Sequence, residues 1–310
     1  MTSSATPLKL EALATVESRT PLQSALRRFV HHRSAQVGMI ILGLLIFIAI
    51  FAPLLAPYDP IKPIRESKRR SPPCIHALGC PADQSQYFFG IDSNQRDLLS
   101  RVIFGSRLSL EIGVSTVTFA IIIGMLLGAV GGYAGGWTDN VIMRFMDVLL
   151  AFPSLLLAIA IVAVLGPGLI NALIAIAFVS IPVYARLMRA SVLQVKDQDF
   201  VSASRALGSS PVGILISHVM PNALTPLIVQ ATLGIASAIL DAAALSFLGL
   251  GAAPPTPEWG LMLGEERNSI FNAPHLVFIP GIAIMLTVLS FNLLGDGLRD
   301  ALDPRQVNVK

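Results

Sequence analysis

Six long apolar runs are the feature that most limits what this chain can fold into. The sequence has 310 residues, of which 54% are hydrophobic and only 13% are charged, whereas a soluble domain carries about 25% charged residues. The first run, residues 36–57, would reach about 33 Å as an α-helix, enough to cross a hydrocarbon core of roughly 30 Å. The other runs cover about residues 109–130, 141–165 (interrupted at Phe152-Pro153), 169–185, 227–250 and 276–294. The sequence therefore predicts an all-α membrane protein with six transmembrane helices in a lipid bilayer.

The polar segments around these runs divide the chain into five parts. Residues 1–35 form a polar tail with no evident signal peptide, and the run 36–57 is long enough to remain as an anchor. Residues 58–107 form a long loop that is expected to end in an interfacial amphipathic helix. Residues 108–296 hold the remaining five spans, and residues 297–310 form a second tail. Among these spans, Gly124 and Gly128 predict a small-xxx-small face suited to close helix packing, and residues 131–140 predict a turn.

The distribution of positive charge predicts the orientation of these parts. Six spans place both termini on one side of the membrane, and that side carries 13 Lys and Arg residues against 9 on the other. The positive-inside rule therefore favours cytoplasmic termini and an external loop 58–107. A net charge of +3 is too small to suggest a nucleic-acid partner.

The longest moderately polar interval in the second half of the chain begins at Gln198. Asp199 can cap a short helix, and Gly208 suits the left-handed residue that ends one. Ser210-Pro211 suits the start of another helix, and Pro221 would break the chain again. These residues predict a helix–glycine–helix elbow that offers a partner a rigid, shallow knob; the alternative is an ordinary polar loop. The residues at helical spacing along one face of its first helix are Phe200, Ala203, Ala206 and Leu207.

The elbow also contains a spaced motif. Ser202-Ala203-Ser204 is followed after three residues by Gly208, and after nine more by His218-Val219-Met220-Pro221. This spacing resembles the signature of ABC-importer permeases: Glu-Ala-Ala, three residues, Gly, nine residues, then Ile-x-Leu-Pro. The residue types differ, because Ser202 replaces the Glu, Ser204 the second Ala, and His-x-Met the Ile-x-Leu. In such permeases the elbow docks as a coupling helix on an ATPase, so the resemblance implies ATPase coupling by Ser202, Ala203, Ser204, Gly208, His218 and Pro221.

Four more blocks extend the resemblance over nearly the whole chain: FGIDSNQRDLLSRVIFGSRLSL, GGYAGGWTDNVIMRFMDVLLAFPSLLLAIAIVAVLG, ALSFLGLGAAPPTPEWGLML and LSFNLLGDGLRDALDPR. The chain is similar to the dipeptide/oligopeptide (DppC/OppC-like) permeases of binding-protein-dependent importers. The resemblance implies a type I ABC importer permease (MetI-like) core of five helices plus an N-terminal helix, in the bacterial cytoplasmic (inner) membrane. It further implies half of a peptide path, a homologous second permease subunit, two ABC ATPase subunits and an extracytoplasmic peptide-binding protein, with the elbow at residues 198–221.

Motifs for chemistry within the chain itself are missing from the sequence. A phosphate-cradling loop needs Gly-Lys-Ser/Thr, and none of the five lysines follows a glycine. Neither His-Glu-x-x-His nor Gly-x-Ser-x-Gly occurs. The chain is therefore expected to be no enzyme and to bind no cofactor, with ATP and Mg²⁺ used by the partner ATPases. The alternative from another class is a stand-alone secondary transporter or channel, which would need an intramembrane ion site.

Ionisable residues inside the spans are candidates for a translocation path. Asp241 lies in the middle of the fifth run, where a carboxylate costs about 2.5–3.5 kcal/mol on insertion scales. It either lines the path, where it could meet a peptide's ammonium group, or is a buried Asp bonded to a neighbouring helix. Arg144 and Asp147 are expected to pair within one helix.

Two features of the polar loops leave their roles open. Cys74 and Cys80 can form a small disulfide in an oxidising compartment, or remain free thiols; a metal site with His76 would have only three ligands, so no metal is expected. Residues 254–259 predict a stiff external loop. It is either a landing surface for a binding protein or a turn anchored by Trp259 at the membrane interface.

Overall fold

The computed structural model describes residues 21–65, 67–81, 83 and 85–302, and this part of the chain is helical, with two isolated β-bridges and no strand. The predicted all-α class therefore holds over the described residues. The helices are α1 (Pro21–His31), α2 (Arg33–Ile50), α3 (Ala52–Leu55), α4 (Leu98–Ala134), α5 (Gly136–Leu150), α6 (Ser154–Leu165), α7 (Leu169–Val195), α8 (Asp199–Ala206), α9 (Pro211–Ile214), α10 (Met220–Ala223), α11 (Thr225–Phe247), α12 (Trp259–Glu266) and α13 (His275–Leu302).

Five helices are long and apolar enough to cross a membrane: α2, α4, α7, α11 and α13. The third predicted span is instead a bent pair, since α5 and α6 meet at 91°, and counting the pair as one broken span gives six. Pro153 stands at the bend in an extended conformation before α6. Because proline fixes φ and lacks an N–H, it can start α6 but cannot continue α5.

The helix α4 merges two predicted elements into one. The amphipathic helix expected before residue 107 and the second span form a single helix of 37 residues, about 55 Å long. Its first turn is packed inside the protein, because Leu98 is buried, and the Asp97 side chain caps it by accepting from the Ser100 N–H at 2.8 Å. The turn expected at residues 131–140 consists of Gly135 alone, which has a φ of +67° and joins α4 to α5.

Glycines let α4 and α7 pack closely. A Cβ on Gly124 would lie 2.7 Å from Tyr184 Cβ, and one on Gly128 only 2.3 Å from the Ala185 carbonyl oxygen. The small-residue face predicted at these two glycines is confirmed, and Gly132 continues it with a Cβ position 3.0 Å from the Arg189 carbonyl oxygen. Such close approach is how membrane helices gain packing contacts without a hydrophobic driving force.

The remaining boundaries differ from the sequence-based ones by up to ten residues. The predicted tail 1–35 contains α1 and the start of α2, and α7 continues to Val195 rather than ending at 185. The last helix runs to Leu302, past the predicted boundary at 296. The parts of the tails at residues 1–20 and 303–310 lie outside the described residues.

Two groups of polar segments lie at opposite ends of α4. At its N-terminal end, called the loop end below, are residues 56–97 and 251–274, where the Trp259 Nε1–H donates to the Val102 carbonyl at 3.0 Å. At its C-terminal end, called the elbow end, Ala129 packs in one apolar cluster with Val201 of α8. A partner at one end is therefore separated from the other by most of the 37-residue helix.

Candidate functional site

The predicted elbow is present as α8, a glycine turn and α9. Gly208 has φ +86°, and its N–H bonds to the Arg205 carbonyl at 3.1 Å. Pro211 is the first residue of α9, and the Ser210 Oγ accepts from the Gly213 N–H at 3.1 Å. The helix–glycine–helix prediction is therefore confirmed. Asp199 was wrongly expected to cap α8, since it is the first helical residue and Gln198 holds the cap position.

The predicted break at Pro221 is wrong. Residues Leu215–Val219 form a π-turn in which the Met220 N–H bonds to the Leu215 carbonyl, and α10 follows without a gap. Pro221 cannot donate the usual bond to a carbonyl four residues earlier. A π-turn absorbs one extra residue inside a helix, and here the chain continues through the proline.

The elbow is anchored on an apolar base. Three fully buried side chains of the elbow, Val201, Ile214 and Val219, pack with Ala223 of α10 and with the ends of the spans. Their partners in this cluster are Ala129, Met188, Val192, Val195 and Leu227. The elbow is therefore packed directly against α4, α7 and α11.

Two polar contacts brace the spans beside this base. The Arg189 guanidinium donates to Asp139 of α5, with Nη2–Oδ2 2.6 Å, and the Lys196 Nζ donates to the Gly132 carbonyl at 3.0 Å. The other α5 carboxylate, Asp147, pairs with Arg186 of α7. The expected pairing of Asp147 with Arg144 within one helix is therefore wrong. Because of the bend after Leu150, α5 lies against α7, which supplies Arg186 as the partner.

The outer face of the elbow is apolar and exposed. Leu207 is 86% exposed and Phe200 41%, and Ala203 and Ala206 of the same helical face are exposed as well. Val212 (66%) and Ile216 (59%) of the second arm are also exposed. The helical periodicity of α8 thus marks an outward face, since its inward face is made by Val201 and Ser204.

The motif residues occupy different positions on this elbow. Ser202 and Ala203 are exposed on α8, Gly208 lies in the turn and Pro221 is exposed on α10. The backbone carbonyl of half-buried His218 accepts from the Asn222 amide at 2.7 Å. Ser204 is buried, and its hydroxyl hydrogen-bonds the Ser209 hydroxyl at 3.0 Å across the glycine turn. This hydrogen bond across the turn was not predicted, although the two serines on either side of Gly208 could have indicated it.

Asp241 lies far from the elbow, six residues before the end of α11. Its side chain is partly exposed and has no hydrogen bond or ion pair among the described residues. The predicted alternative, a buried Asp bonded to a neighbouring helix, is therefore not what this chain forms.

The loop end carries a buried ion network that sequence reasoning missed. Arg96 Nε donates to Asp92 Oδ2 at 2.7 Å and its Nη2 to Glu265 Oε2 at 2.8 Å. Arg101, 1% exposed, donates to the carbonyl oxygens of Pro60 (3.1 Å) and Pro255 (3.2 Å). The signal was the density of opposite charges in IDSNQRDLLSR and LGEER. These contacts join loop 56–97 to α12 through Glu265, and Arg101 of α4 to the segment before α12 through Pro255.

Trp259 and Glu258 complete the loop end. Trp259 is 1% exposed, so the alternative in which it anchors a turn at the membrane interface is wrong. The Glu258 carboxylate caps α12 by accepting from the N–H groups of Gly260 (2.9 Å) and Leu261 (2.7 Å). Burial raises the pKa of this carboxyl. Cys74 and Cys80 are joined as a disulfide in loop 56–97, beside the Cys74–Tyr87 bridge.

Comparison with known proteins agrees with this architecture. The model of the "binding-protein-dependent transport system inner membrane component" family matches residues 120–308, and that of the "N-terminal TM domain of oligopeptide transport permease C" matches residues 20–73. The inward-facing MetNI methionine ABC transporter superposes with a TM-score of 0.56 at 18% identity, covering 66% of this chain and 98% of that one. This likeness confirms the predicted type I importer permease fold.

Relatives of similar length carry permease names. A di/tripeptide transport system permease protein DppC of Pseudomonas aeruginosa is 50% identical over 290 residues, 94% of each chain. A dipeptide permease DppC of Alkalihalophilus pseudofirmus is 47% identical over 286 residues, 92% of this chain and 90% of the relative. A glutathione permease GsiD of Escherichia coli is 47% identical over 287 residues, 93% of this chain and 91% of the relative. The chain therefore belongs to the family of inner membrane components of binding-protein-dependent transport systems.

Proposed function

We propose that this chain is the permease subunit of an ATP-driven importer for short peptides, and that the elbow at residues 198–221 couples it to the ATPase subunits. The observation that carries the coupling proposal is the pairing of an exposed apolar face with a buried apolar base. Phe200 and Leu207 project from an elbow whose inner side chains Val201 and Ile214 are fully buried. Exposed apolar patches of this kind mark interaction sites.

The exposed side chains of the elbow favour a protein partner that recognises the shape of the elbow rather than its charge. Around its exposed face the elbow offers small or apolar side chains, including Ala203 and Ala206, and the basic Arg205. An ATPase cleft that closes over such a knob can hold it in two nucleotide states, because apolar contacts are not tied to one hydrogen-bond geometry. ATP hydrolysis and Mg²⁺ then belong to the ATPases, since this sequence has no Gly-Lys-Ser/Thr loop.

The remaining parts of the assembly follow from the same proposal. A homologous second permease supplies the other half of the path, and an extracytoplasmic binding protein delivers the substrate. With the elbow cytoplasmic, both termini are cytoplasmic and the loop end faces outward, where the Cys74–Cys80 disulfide is stable. The curated relatives named for dipeptides and glutathione support short peptides as the substrate class.

Reconstitution tests the proposal. The chain, its second permease, the two ATPases and the binding protein are placed in proteoliposomes, and uptake of a labelled dipeptide is followed with and without Mg-ATP. We expect uptake only with all subunits and ATP. Uptake by this chain alone without nucleotide would indicate a stand-alone transporter instead.

The elbow is tested separately in the same system. Leu207→Asp should weaken recovery of the ATPases with the permease pair, because a charge would enter an apolar contact. Ile61→Asp, at an exposed apolar position of the loop end and outside the spans, is the matched control and should leave ATPase recovery unchanged. Equal recovery of the ATPases by both variants and the wild type would refute docking at this face.

A further inference from the structure

A line of polar groups runs along one face of α11. Gln230, Ser237 and Asp241 lie seven and four residues apart, which at 100° per residue places them within about 40° of one another. Ser237 is exposed, and Gln230 and Asp241 are partly exposed. The opposite face is covered: Ile239 contacts α4 where Gly113 lacks a side chain, and Ala243 contacts α12 at Gly260.

A tyrosine hydroxyl fills the gap in this line. Position 234 lies one turn after Gln230 and one turn before Ser237, and it is a glycine. A Cβ built on Gly234 would lie 2.0 Å from the Tyr184 Oη of α7. The glycine therefore leaves room for the Tyr184 hydroxyl at this turn. Because Tyr184 is only 2% exposed, the accessible groups of the line are Gln230, Ser237 and Asp241.

These groups are poorly suited to contact with lipid. Among the described residues, none hydrogen-bonds the side chains of Gln230 or Asp241, and Ser237 bonds only back to the Leu233 carbonyl at 3.3 Å. A carboxylate inside a span costs about 2.5–3.5 kcal/mol on insertion scales. The described helices leave Ser237 exposed and Gln230 and Asp241 partly exposed, so water or a solute is the favourable neighbour of these groups.

The length of the line matches a short peptide. From Gln230 to Asp241 it extends about 16 Å along the helix axis, and an extended chain advances about 3.4 Å per residue, so it spans about five residues. Its groups are complementary to a peptide: a carboxylate for an ammonium group, and a hydroxyl and an amide for backbone N–H and C=O groups. Asp241 lies toward the loop end, about 9 Å from the end of α11.

We propose that Gln230, Ser237 and Asp241 form a solute-facing line of the translocation path that holds a peptide with a free amino terminus, its ammonium group at Asp241. The inference rests on the proposed function and adds the residues and the recognised group. A dipeptide covers less than half of the line, so it would pass along the line in at least two steps.

Thiol accessibility tests whether water reaches the side chains of the line. Ser237→Cys and Asp241→Cys are made in the full transporter and treated with a membrane-impermeant thiosulfonate, with Leu240→Cys, exposed on the neighbouring face, as the control. The wild type, whose two cysteines are disulfide-bonded, sets the background. We expect the line positions to react at least ten-fold faster than position 240 in one nucleotide state, and a dipeptide to slow them. Equal rates at all three positions, or line positions that stay unreactive in every nucleotide state because a second permease covers them, would overturn the inference.

Transport tests the role of the charge. Asp241→Asn should reduce dipeptide uptake at least ten-fold while the binding protein still stimulates ATP hydrolysis, and Asp241→Glu should restore much of the uptake. Glu111→Gln, which removes an exposed carboxylate of α4 near the same end, should leave uptake unchanged. Normal, ATP-dependent uptake by Asp241→Asn would refute the role of the polar line but leave the proposed function standing. ATP-independent uptake by the wild type would refute the proposed function itself.

Discussion

The glycine turn of the elbow allows a prediction in which backbone conformation alone is changed. Gly208 has φ +86°, and a Cβ built there meets no atom within 4 Å among the described residues. A side chain at this position therefore adds no clash and only the strain of the left-handed conformation, about 1–2 kcal/mol for an ordinary residue. That strain shifts the balance between this turn and competing conformations by about 5- to 30-fold.

The size of the effect should follow the residue type. Asn tolerates the left-handed region and should cost least, Ala more, and β-branched Val most. We therefore expect coupling to fall in the order Gly208, Gly208→Asn, Gly208→Ala, Gly208→Val. Because Val201 and Ile214 anchor the elbow independently of the turn, the variants should still insert and assemble.

The assay is ATP hydrolysis by the reconstituted transporter, stimulated by the loaded binding protein and measured together with uptake. The expected result is a falling ratio of peptide transported to ATP hydrolysed along the series. Gly43→Ala is the control, because Gly43 in α2 also has open space but an ordinary helical conformation. Substrate-stimulated ATPase activity in Gly208→Val equal to that of the wild type, or a larger defect in Asn than in Val, would refute the reasoning.

Three further predictions concern stability, each measured as thermal unfolding of the purified chain in detergent. Arg101→Met should cost about 3–5 kcal/mol because it leaves buried carboxylates without their partner, whereas Arg107→Met, at an exposed position, should stay within about 0.5 kcal/mol. Gly128→Val should cost about 1–3 kcal/mol, since its Cβ would lie 2.3 Å from an α7 carbonyl oxygen, and Gly281→Ala, with open space around it, should be tolerated. Glu258→Ala should cost about 1 kcal/mol through loss of a helix cap. Burial raises the pKa of Glu258 above its ordinary 4.5, so wild-type stability relative to Glu258→Gln should be greatest below pH 4.5 and fall as the pH rises through the folded-state pKa. If the stability of the wild type relative to Glu258→Gln rises with pH instead, the hydrogen bonds that the carboxylate accepts at the helix cap outweigh the cost of burying its charge.

Much of the architecture could be predicted from the sequence because a bilayer imposes simple local rules. Backbone groups in lipid must be satisfied within each segment, so long apolar runs become helices wherever they occur. The elbow was predictable for a similar reason: Gly208 and Ser210-Pro211 encode a turn and a helix start in their own conformational preferences. The spacing of Gly124 and Gly128 also marked the packing face of α4.

Only the tertiary structure decided which side of each helix is covered and which charges meet. Phe200 and Val201 are adjacent in sequence, yet one projects outward and the other is buried, because the ends of α4 and α7 supply a base for one side of α8. The Arg101 network and the Asp147–Arg186 pair join residues far apart in the chain. Local preferences indicate where the chain can turn, as at Gly208 and Pro211, whereas burial and pairing depend on neighbours that the chain brings together only when it folds.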